Sequence, residues 1–405
     1  MSRPALGPSP RARREPDTEA LVVGGGMVGA ALALGLRRLG LAIGLVEAGT
    51  APVWSASAPG LRVIALAPDG RALLERLGVW PALRAARVQP YTAMQIEDAG
   101  GGPSLRFDAD SLGVPQLGHI IENDLLVDRL HAALRAEGVP VLTGVGVAAL
   151  EREAEAATLV LADGRRLRAA RVFAADGAGS TLRRLAGIAV DGRDYAASGL
   201  VACLRPERAH EATCRQRFLP TGPLALLPCA DGRVSIVWSL PAAEAERLRE
   251  APAALFEAEL ARASNRMLGR LQLDSPRQLF PLRRQVARTM RDGPLALLGD
   301  AAHVVHPLAG QGANLGLRDV AELLDGVAAA QAAGRSALGE RVLERWARRR
   351  ASENRLAAHA FEAIHHVYSN ASPLPLALRG WALGVASLPP LKRLLWRQAA
   401  GSGAA

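Results

Sequence analysis

The hydrophobic pattern of this chain alternates between short apolar runs and segments in which apolar residues recur at helical spacing. Ala20–Val23, Leu41–Val46 and Leu295–Leu298 are runs of the length that buried strands have. A helical stripe follows the first run, and another follows the third run after a glycine-rich segment. The second stripe consists of Val320, Leu323, Leu324 and Val327. Strands that alternate with helices predict an α/β fold built on a parallel sheet.

A different pattern occupies residues 198–285. Apolar runs separated by turn residues are typical of antiparallel strands, and Ala242–Leu271 has helical periodicity. The runs are Leu200–Leu204, Cys214–Leu219, Leu224–Leu227 and Val234–Leu240. Val88–Leu117 also alternates, which predicts hairpins, and the chain beyond Ala328 is predicted to be helical. The antiparallel part therefore interrupts the α/β part.

These patterns predict a Rossmann-like domain that is discontinuous in sequence, a mostly antiparallel substrate domain and a region of C-terminal helices. The predicted boundaries are 18–85, 119–190 and 286–330 for the Rossmann-like domain, 86–118 and 191–285 for the substrate domain, and 331–405 for the helices. Residues 1–17 are rich in Pro, Arg and Ser and lack the roughly 7–15 apolar residues of a secretory signal. We expect them to form a disordered leader.

Composition narrows the class of protein. The 405 residues are 49% hydrophobic, which supports full cores in more than one domain. The formal net charge is +10, but only 4% of residues are aromatic, whereas nucleic-acid surfaces combine clustered cations with stacking aromatics, so we expect no nucleic-acid partner. Cys203, Cys214 and Cys229 show no C-x-x-C spacing, which predicts a reducing cytoplasmic compartment without disulfides or a zinc site.

The first apolar run leads into a glycine-rich loop. Gly24, Gly26 and Gly29 fill the pattern G-x-G-x-x-G between a strand and a helix, and the next strand leads to Glu47. The first glycine permits a tight turn, the second lets a pyrophosphate approach, and the third lets helix and strand pack closely. Glu47 is placed to accept from an adenosine ribose hydroxyl, which predicts a dinucleotide without a ribose phosphate. The alternative is an accidental glycine-rich turn.

The third apolar run leads to a second acidic strand end. Asp300 follows the strand, and the segment after Pro307 opens a helix through Gly310, Gly312 and Asn314. Open α/β sheets bind ligands at this end of their strands. There a carboxylate can accept from sugar-like hydroxyls, and the amides at a helix start favour a group that becomes negative. A flavin dinucleotide offers both features, and the alternative is a turn whose glycines serve packing alone.

A third strand end repeats this arrangement. Asp176-Gly177 follows the apolar run Val172–Ala175, and Arg183 lies in a basic helical segment just beyond. Asp176 is expected to fix the turn that holds the dinucleotide, with Arg183 paired to it or to a phosphate. An ordinary Asp-Gly turn is the alternative.

Three polar features are compatible with more than one role. Arg62 precedes an apolar run and would either reach a phosphate or the flavin or be solvated. Asn123 opens a predicted helix, where a capping role is favoured over contact with the cofactor. The segment Arg341–Arg350 carries five arginines and Trp346, which is most simply a solvated helix face.

The segment Pro373–Trp396 combines leucines and tryptophans with flanking cations. Its prolines and Arg379 are incompatible with a membrane span. Tryptophans beside cations suit the plane of a membrane interface, which would place the protein on the inner face of the membrane. Packing of this segment on its own domain or on a second copy is the alternative.

The three acidic strand ends together resemble those of the FAD-dependent aromatic hydroxylases, the flavoprotein monooxygenases that include para-hydroxybenzoate hydroxylase. The glycine loop with Glu47, the Asp176-Gly177 pair and Asp300 occur in the order and spacing of that family. The segment from 306 to 319 looks like the signature of its ubiquinone-biosynthesis hydroxylase branch. It reads His306-Pro307-x-x-Gly310-Gln311-Gly312-x-Asn314-x-Gly316-x-x-Asp319. One departure is Pro68-Asp69, where the branch usually carries serines.

The resemblance implies a non-covalent FAD enzyme with NAD(P)H as a transient co-substrate and O2 as the source of oxygen. It implies that Glu47 holds the adenosine ribose, that Asp300 holds the ribityl chain, and that amides after Gly310 stabilise the flavin ring. Pro307 would lie on the substrate side of that ring. We assign no protein acid or base, because His303 and His306 are candidates by position only, with structural roles favoured.

The substrate that the resemblance implies is a polyprenylated phenol or quinol of ubiquinone biosynthesis, with a multi-enzyme ubiquinone assembly as a further partner. One alternative is the hydroxylation of a soluble phenol or secondary metabolite. Another is a non-catalytic subunit that binds FAD and supports a membrane-associated hydroxylase. A flavin-dependent halogenase is disfavoured, because no W-x-W-x-I-P stretch occurs.

Overall fold

The computed structural model describes residues 18–57, 60–305, 311–368, 392–393, 395–396 and 400–401. Within these ranges the strands, in chain order, are β1 (Thr18–Val23), β2 (Ile43–Glu47), β3 (Val63–Leu66), β4 (Gln89–Tyr91), β5 (Ala93–Asp98), β6 (Leu105–Asp108), β7 (Gly118–Glu122), β8 (Val141–Thr143), β9 (Val147–Arg152), β10 (Ala157–Leu161), β11 (Arg166–Ala174), β12 (Val190–Pro206), β13 (Thr213–Leu219), β14 (Gly222–Pro228), β15 (Val234–Pro241), β16 (Leu271–Leu273), β17 (Gln278–Ala287), β18 (Arg291–Asp292), β19 (Leu295–Leu297) and β20 (His303–Val304). The fold is mixed α/β, as predicted.

The helices of the same ranges connect these strands. They are α1 (Met27–Arg38), α2 (Pro68–Arg76), α3 (Trp80–Ala86), α4 (Ala109–Leu112), α5 (Asn123–Ala136), α6 (Thr181–Leu185), α7 (Ala242–Glu250), α8 (Ala253–Ala263), α9 (Gln311–Ala332) and α10 (Glu340–Tyr368). A 3₁₀ turn, Gly299–Ala301, follows β19.

The first sheet has a parallel centre, as the strand–helix alternation predicts. Its order is β18-β19-β11-β1-β2-β8, and the β9–β10 hairpin is added to β11. The neighbours β19, β11, β1, β2 and β8 are all parallel. Parallel strands end at the same edge of a sheet, so the segments that follow β19, β11, β1 and β2 are neighbours.

Helices α1 and α9 cover this sheet and bury the stripes seen in the sequence. Val320, Leu323 and Val327 of α9 are fully buried in the same core cluster as the sheet. The two helices approach closely at Gly35, where a Cβ atom would lie 2.3 Å from Leu324 Cδ1. The glycine therefore sets the distance between the helix that follows the first strand and the helix that follows Asp300.

The second sheet is mostly antiparallel, with the order β20-β17-β12-β15-β14-β13-β5-β6 and β16 on β12. Only the pair β5–β13 is parallel among its described strands. Alternate residues of β12, β14 and β15 pack with α7 and α8 in one apolar core. The residues between them point to the opposite side, since successive side chains of a strand alternate between faces.

The small sheet β3-β7-β4 lies between the two large sheets. In β3, Ile64 and Leu66 belong to the core of the first sheet. Val63 and Ala65 instead pack against residues of the second sheet. We call the second-sheet surface on this side the junction face; its residues are Met94, Ile96, Val201, Cys214, Gln216, Ala225, Leu227 and Val237. The junction face and β3 enclose an apolar contact between the two halves of the molecule.

The described part of the C-terminal segment packs on the protein. Trp396 contacts the cluster built around Phe107 of β6, and the Lys392 ammonium lies 5.7 Å from the Phe107 ring centroid. Leu395 keeps 38% of its surface exposed. Among the residues that the structure describes, no helix has the length and hydropathy needed to cross a bilayer.

Candidate active site

The topology brings the three acidic strand ends and the glycine loop to one edge of the first sheet. Asp300 follows β19, Asp176 follows β11, the loop at Gly24 follows β1, and Glu47 ends β2. These four strands are consecutive neighbours in the sheet. The positions lie apart in the sequence but form a single line at the carboxyl edge, where an elongated dinucleotide can contact all of them.

The glycine loop after β1 is compressed against the neighbouring strand. Gly24 has φ +103°, and a Cβ atom there would lie 2.2 Å from the Ala175 carbonyl oxygen. A Cβ atom on Gly29 would lie 1.9 Å from the Gly24 carbonyl oxygen. In contrast, the space beside Gly26 is open, because no atom of the described residues lies within 4 Å of a Cβ position, and the first turn of α1 carries no acidic residue. This open, positive helix start fits the pyrophosphate of FAD.

Glu47 closes the other side of the loop. Its Oε2 atom accepts from the Gly25 amide at 2.5 Å, and its Oε1 atom accepts from the Gly49 amide at 2.7 Å. Each carboxylate oxygen retains a lone pair, so the half-buried carboxylate can also accept from a ribose hydroxyl. His131 of α5 completes the support, because its Nε2 atom lies 2.7 Å from the Gly25 carbonyl oxygen. No sequence pattern points to His131, since one histidine in a helical stripe looks like any core residue.

Asp176 fixes the turn after β11. Its Oδ1 atom accepts from the Ser180 hydroxyl at 2.5 Å, and its Oδ2 atom accepts from the Leu182 amide at 3.1 Å. Gly177, with φ +81°, permits this turn. The guanidinium of Arg183 is buried and donates to the carbonyl oxygens of Ala178 and Ala301. Arg183 therefore ties the turn after β11 to the turn that carries Asp300, rather than pairing with Asp176.

Asp300 differs from the other two acids because its carboxylate is unengaged. It is half-buried in the 3₁₀ turn after β19, and no hydrogen bond or ion pair joins it to any residue that the structure describes. The preceding Gly299 has φ +55°, and a Cβ atom there would lie 3.0 Å from Val28 of α1. The turn thus holds an available carboxylate directly beside the start of α1, which fits the hydroxyls of a ribityl chain.

The Asp300 turn is held in place by Asp319, a buried carboxylate in α9. Asp319 Oδ2 accepts from the Gly299 amide at 2.9 Å and contacts His303 Nε2 at 2.6 Å. Its Oδ1 atom accepts from Arg350 Nε at 2.8 Å and from Asn354 Nδ2 at 3.2 Å. Burial raises the pKa of Asp319, but the interactions with His303 and Arg350 outweigh it and lower the pKa to about 2. Asp319 is therefore ionised at neutral pH.

One expectation about this region needs revision. The segment Arg341–Arg350 was expected to be a solvated face, yet Arg350 is 2% exposed and Trp346 is 3% exposed. Trp346 Nε1 donates to the Asp319 backbone carbonyl at 2.9 Å, so both side chains face α9. His303 is 1% exposed and paired with Asp319, which gives it the structural role that the sequence favoured.

Asn314 and Asn123 support the surrounding backbone. Asn314 is buried, and its carboxamide accepts from the Ala67 amide and donates to the Ala65 carbonyl, both at 2.8 Å. It therefore connects the start of α9 to β3. The predicted capping role of Asn123 is wrong: the cap position is Glu122, and Asn123 is the first helical residue, with its side chain bonded to Asp124.

The remaining predicted residues lie near the edge or outside the described part. Arg62 is exposed and its guanidinium lies 5.9 Å from the ring centroid of Phe280, at the end of the second sheet. Gly312 is in the first turn of α9, and Val305 is the described residue that lies within 4 Å of a Cβ position there. His306, Pro307 and Gly310 lie outside the described residues.

A groove of about 1130 Å³ between α2, α9 and α10 contains none of the predicted cofactor-binding residues. It is lined by arginines and acidic residues, among them Arg318, which donates to Asp69 at 2.5 Å. This ion pair accounts for the Pro68-Asp69 departure, since the aspartate joins α2 to α9. The cofactor is therefore assigned to the strand-end edge and not to this groove.

The comparison with known proteins agrees with this geometry. A family model described as "FAD binding domain" matches residues 17–355, and the chain belongs to this family. It is an FAD-dependent aromatic-ring monooxygenase. The chain is 37% identical to the 3-demethoxyubiquinol 3-hydroxylase of Escherichia coli over 358 residues, which cover 88% of this chain and 91% of that enzyme. It is 34% identical to ubiquinone hydroxylase UbiL of Rhodospirillum rubrum, over 95% and 90% of the two chains.

Solved structures show the same fold. The p-nitrophenol 4-monooxygenase PnpA of Pseudomonas putida superimposes with a TM-score of 0.78, over 95% of this chain and 98% of that one. The sequences are only 20% identical, so this likeness shows the architecture and leaves the substrate open.

We expect Asp319→Asn to destabilise the protein by about 3–5 kcal/mol at pH 7, because Arg350 would remain buried without its counter-ion. Since the pKa of Asp319 is about 2 when folded, its contribution is complete above its ordinary pKa of 3.8 and is lost as the pH falls towards 2. The difference between wild type and variant should therefore shrink in acid, as urea unfolding at pH 7 and pH 3 would measure. Asp325→Asn, on the exposed side of α9, should cost less than about 1 kcal/mol; equal losses for both would contradict the assignment.

We expect Asp300→Ala to weaken FAD binding about tenfold to a hundredfold, because one or two hydrogen bonds to a charged group are lost. The free energy of unfolding of the apoprotein should change by less than about 0.5 kcal/mol, since this carboxylate has no described partner to lose. Flavin titration and urea unfolding measure the two quantities. Asp292→Ala, before the same strand, is the matched control and should leave FAD affinity intact. Unchanged FAD affinity in Asp300→Ala would refute this role.

Proposed function

We propose that this monooxygenase hydroxylates the aromatic ring of a polyprenylated quinol intermediate in ubiquinone biosynthesis, with NAD(P)H as reductant and O2 as oxidant. The observation that carries the proposal is the similarity to an enzyme named 3-demethoxyubiquinol 3-hydroxylase along 88% of this chain. The similarity to ubiquinone hydroxylase UbiL, along 95% of the chain, supports the same substrate class.

The proposal divides the molecule into two working parts. FAD would lie along the carboxyl edge of the first sheet, between the open start of α1 and Asp300. The substrate ring would lie beside the contact between β3 and the junction face, where the side chains named above are uncharged. Asn314 joins these parts, because it lies in the first turn of α9 and holds the backbone at β3. We also propose that the domain boundaries predicted from the sequence separate the cofactor-binding part from the substrate-binding part.

In this proposal the side chains of the protein position the cofactor and the substrate. Bound FAD supplies the redox chemistry and the activation of oxygen. Glu47 would hold the adenosine ribose, Asp300 would hold the ribityl chain, and the amides at the start of α9 would stabilise the flavin ring. The apolar wall formed by Val63, Ala65 and the junction face would exclude water, which protects a reactive oxygen donor from wasteful breakdown.

The uncharged junction face favours a neutral ring over an anionic soluble phenol. The strand row through Gln216 continues across Ala225, Val237 and Val201, and none of these can neutralise a phenolate or a carboxylate. An anion buried there without a partner would be strongly destabilised. A neutral quinol with a long apolar chain has no such cost.

We expect the purified protein, loaded with FAD and given NAD(P)H, to hydroxylate a short-chain 3-demethoxyubiquinol. Under oxygen-18-labelled O2, mass spectrometry should detect a product that carries one labelled oxygen atom. p-Nitrophenol serves as the soluble-phenol control and should be a much poorer substrate. Faster turnover of p-nitrophenol would favour the soluble-phenol function, and no product from either compound would favour a non-catalytic subunit.

We further propose that the C-terminal segment contacts the membrane surface from which a polyprenylated substrate is drawn. Its described residues support this in one respect: Leu395 is 38% exposed beside the exposed Arg393, while Trp396 anchors the segment to the Phe107 cluster. An exposed leucine next to a cation suits an anionic lipid interface.

We expect Leu395→Glu to reduce co-sedimentation with vesicles of phosphatidylglycerol and phosphatidylcholine, because it places a negative charge at the lipid surface. Leu255→Glu is the matched control, since Leu255 of α8 is 43% exposed, similar to Leu395, and does not belong to the C-terminal segment. Equal sedimentation of the wild type and both variants would argue against a membrane contact at Leu395.

A further inference from the structure

Gln216 is the polar residue among those named for the junction face, and Ser235 of β15, which pairs with Leu227, is a second buried polar residue on the same side of the sheet. It lies in β13 and pairs with Ala225 of β14, and this row continues through Val237 of β15 to Val201 of β12. On the other side Gln216 is paired with Ile96 of β5. Paired residues share a face of the sheet, so the Gln216 carboxamide projects from a row that is otherwise apolar.

The Gln216 side chain is buried without a partner. Its residue is 5% exposed, and no hydrogen bond joins its carboxamide to any residue that the structure describes. Asn314, which is equally buried, uses its carboxamide in two hydrogen bonds. Gln216 is not among the described residues whose polar side-chain atoms are wholly buried without a partner, so its carboxamide retains accessible surface. An unpaired carboxamide that borders accessible space on an apolar face points to a ligand in that space.

The position of Gln216 relative to the proposed substrate site supports this. Its strand neighbours Ala225 and Val237 pack in the same cluster as Val63 and Ala65 of β3. The Ala65 carbonyl accepts from Asn314 at the start of α9, directly after the glycine-rich turn. Gln216 thus lies on the same face of the second sheet as the residues that pack against β3.

We propose that the Gln216 carboxamide binds the oxygen substituents of the substrate ring and so orients the ring for hydroxylation. Nε2–H would donate to an ether or hydroxyl oxygen, and Oε1 would accept from a phenolic O–H. One donor and one acceptor on the same amide match a ring that carries a hydroxyl group beside a second oxygen. The inference rests on the proposed function for the identity of the ring, and it assigns a specificity-determining contact within that site.

The test compares two ligands and three proteins. The ligands are a short-chain 3-demethoxyubiquinol and its dimethyl ether, which has no phenolic O–H. The proteins are the FAD-loaded wild type, Gln216→Met and Gln95→Met. Gln95 of β5 is the matched control, because it pairs with Arg215 and therefore lies on the opposite face, bonded to Glu97 at 2.7 Å. Dissociation constants follow from the change in flavin absorbance on ligand binding and do not require turnover.

We expect the wild type and Gln95→Met to bind the quinol about tenfold or more tightly than the dimethyl ether, as one lost hydrogen bond in a buried site predicts. Gln216→Met should bind the two ligands almost equally. The unfolding temperature of its apoprotein should not fall, because methionine replaces a buried amide that has no protein partner. A structural role would instead lower the unfolding temperature and leave the preference for the quinol intact.

The possible results show whether the role of Gln216 or the proposed hydroxylase function is wrong. If Gln216→Met keeps the wild-type preference for the quinol, or if the wild type shows no preference, the assignment of Gln216 is wrong. If the preference depends on Gln216 but the wild type forms no hydroxylated product, the contact is supported and the proposed hydroxylase function is refuted.

Discussion

The hydrogen bonds of the buried Asp319 carboxylate determine the geometry of the carboxyl edge of the first sheet, where the cofactor is proposed to bind. The carboxylate accepts hydrogen bonds from the Gly299 amide, from His303 and, through its other oxygen, from Arg350 and Asn354. Three segments are thereby joined: the turn after β19, helix α9 and helix α10. Removal of one member of such a buried ion pair typically costs about 3–5 kcal/mol, so these segments form one mechanical unit. The position of Asp300 is therefore set in part by α10, a helix that supplies none of the residues assigned to the cofactor.

A steric constraint acts from the other side of the same edge. The glycine loop after β1 fits only because Gly24 and Gly29 lack side chains that would overlap the Ala175 and Gly24 carbonyl oxygens. Helix α1 is thereby seated against the sheet, and its Val28 side chain reaches the Gly299 backbone. The ionic unit around Asp319 and the packed glycine loop therefore meet at Gly299. The start of α1 and the Asp300 carboxylate are held at a fixed separation by the protein alone.

The sequence predicted the parts of this arrangement that depend on local pattern. The glycine loop, the short strand before Asp300 and the stripe of α9 are specified by spacing within a few residues, and the structure shows each of them. The sequence did not reveal Arg350, because an arginine in a helix is identified as buried only by its partner 31 positions away. The error at Asn123 has a similar origin, since the choice between cap and first helical residue depends on the register of β7 with β3.

The hydrogen-bond partners of each polar side chain distinguish structural from functional roles where motifs cannot. Asp319, Asn314 and Asp176 all belong to motifs, yet their oxygen atoms are engaged with the protein, so each explains a feature of the fold. Asp300 and Gln216 are the opposite case, since neither side chain has a described partner. A polar side chain that the protein leaves without a partner is available to bind a ligand. Asp300 lies at the carboxyl edge of the first sheet, and Gln216 lies on the junction face. An enzyme that binds one cofactor and one ring substrate needs two such separate sites.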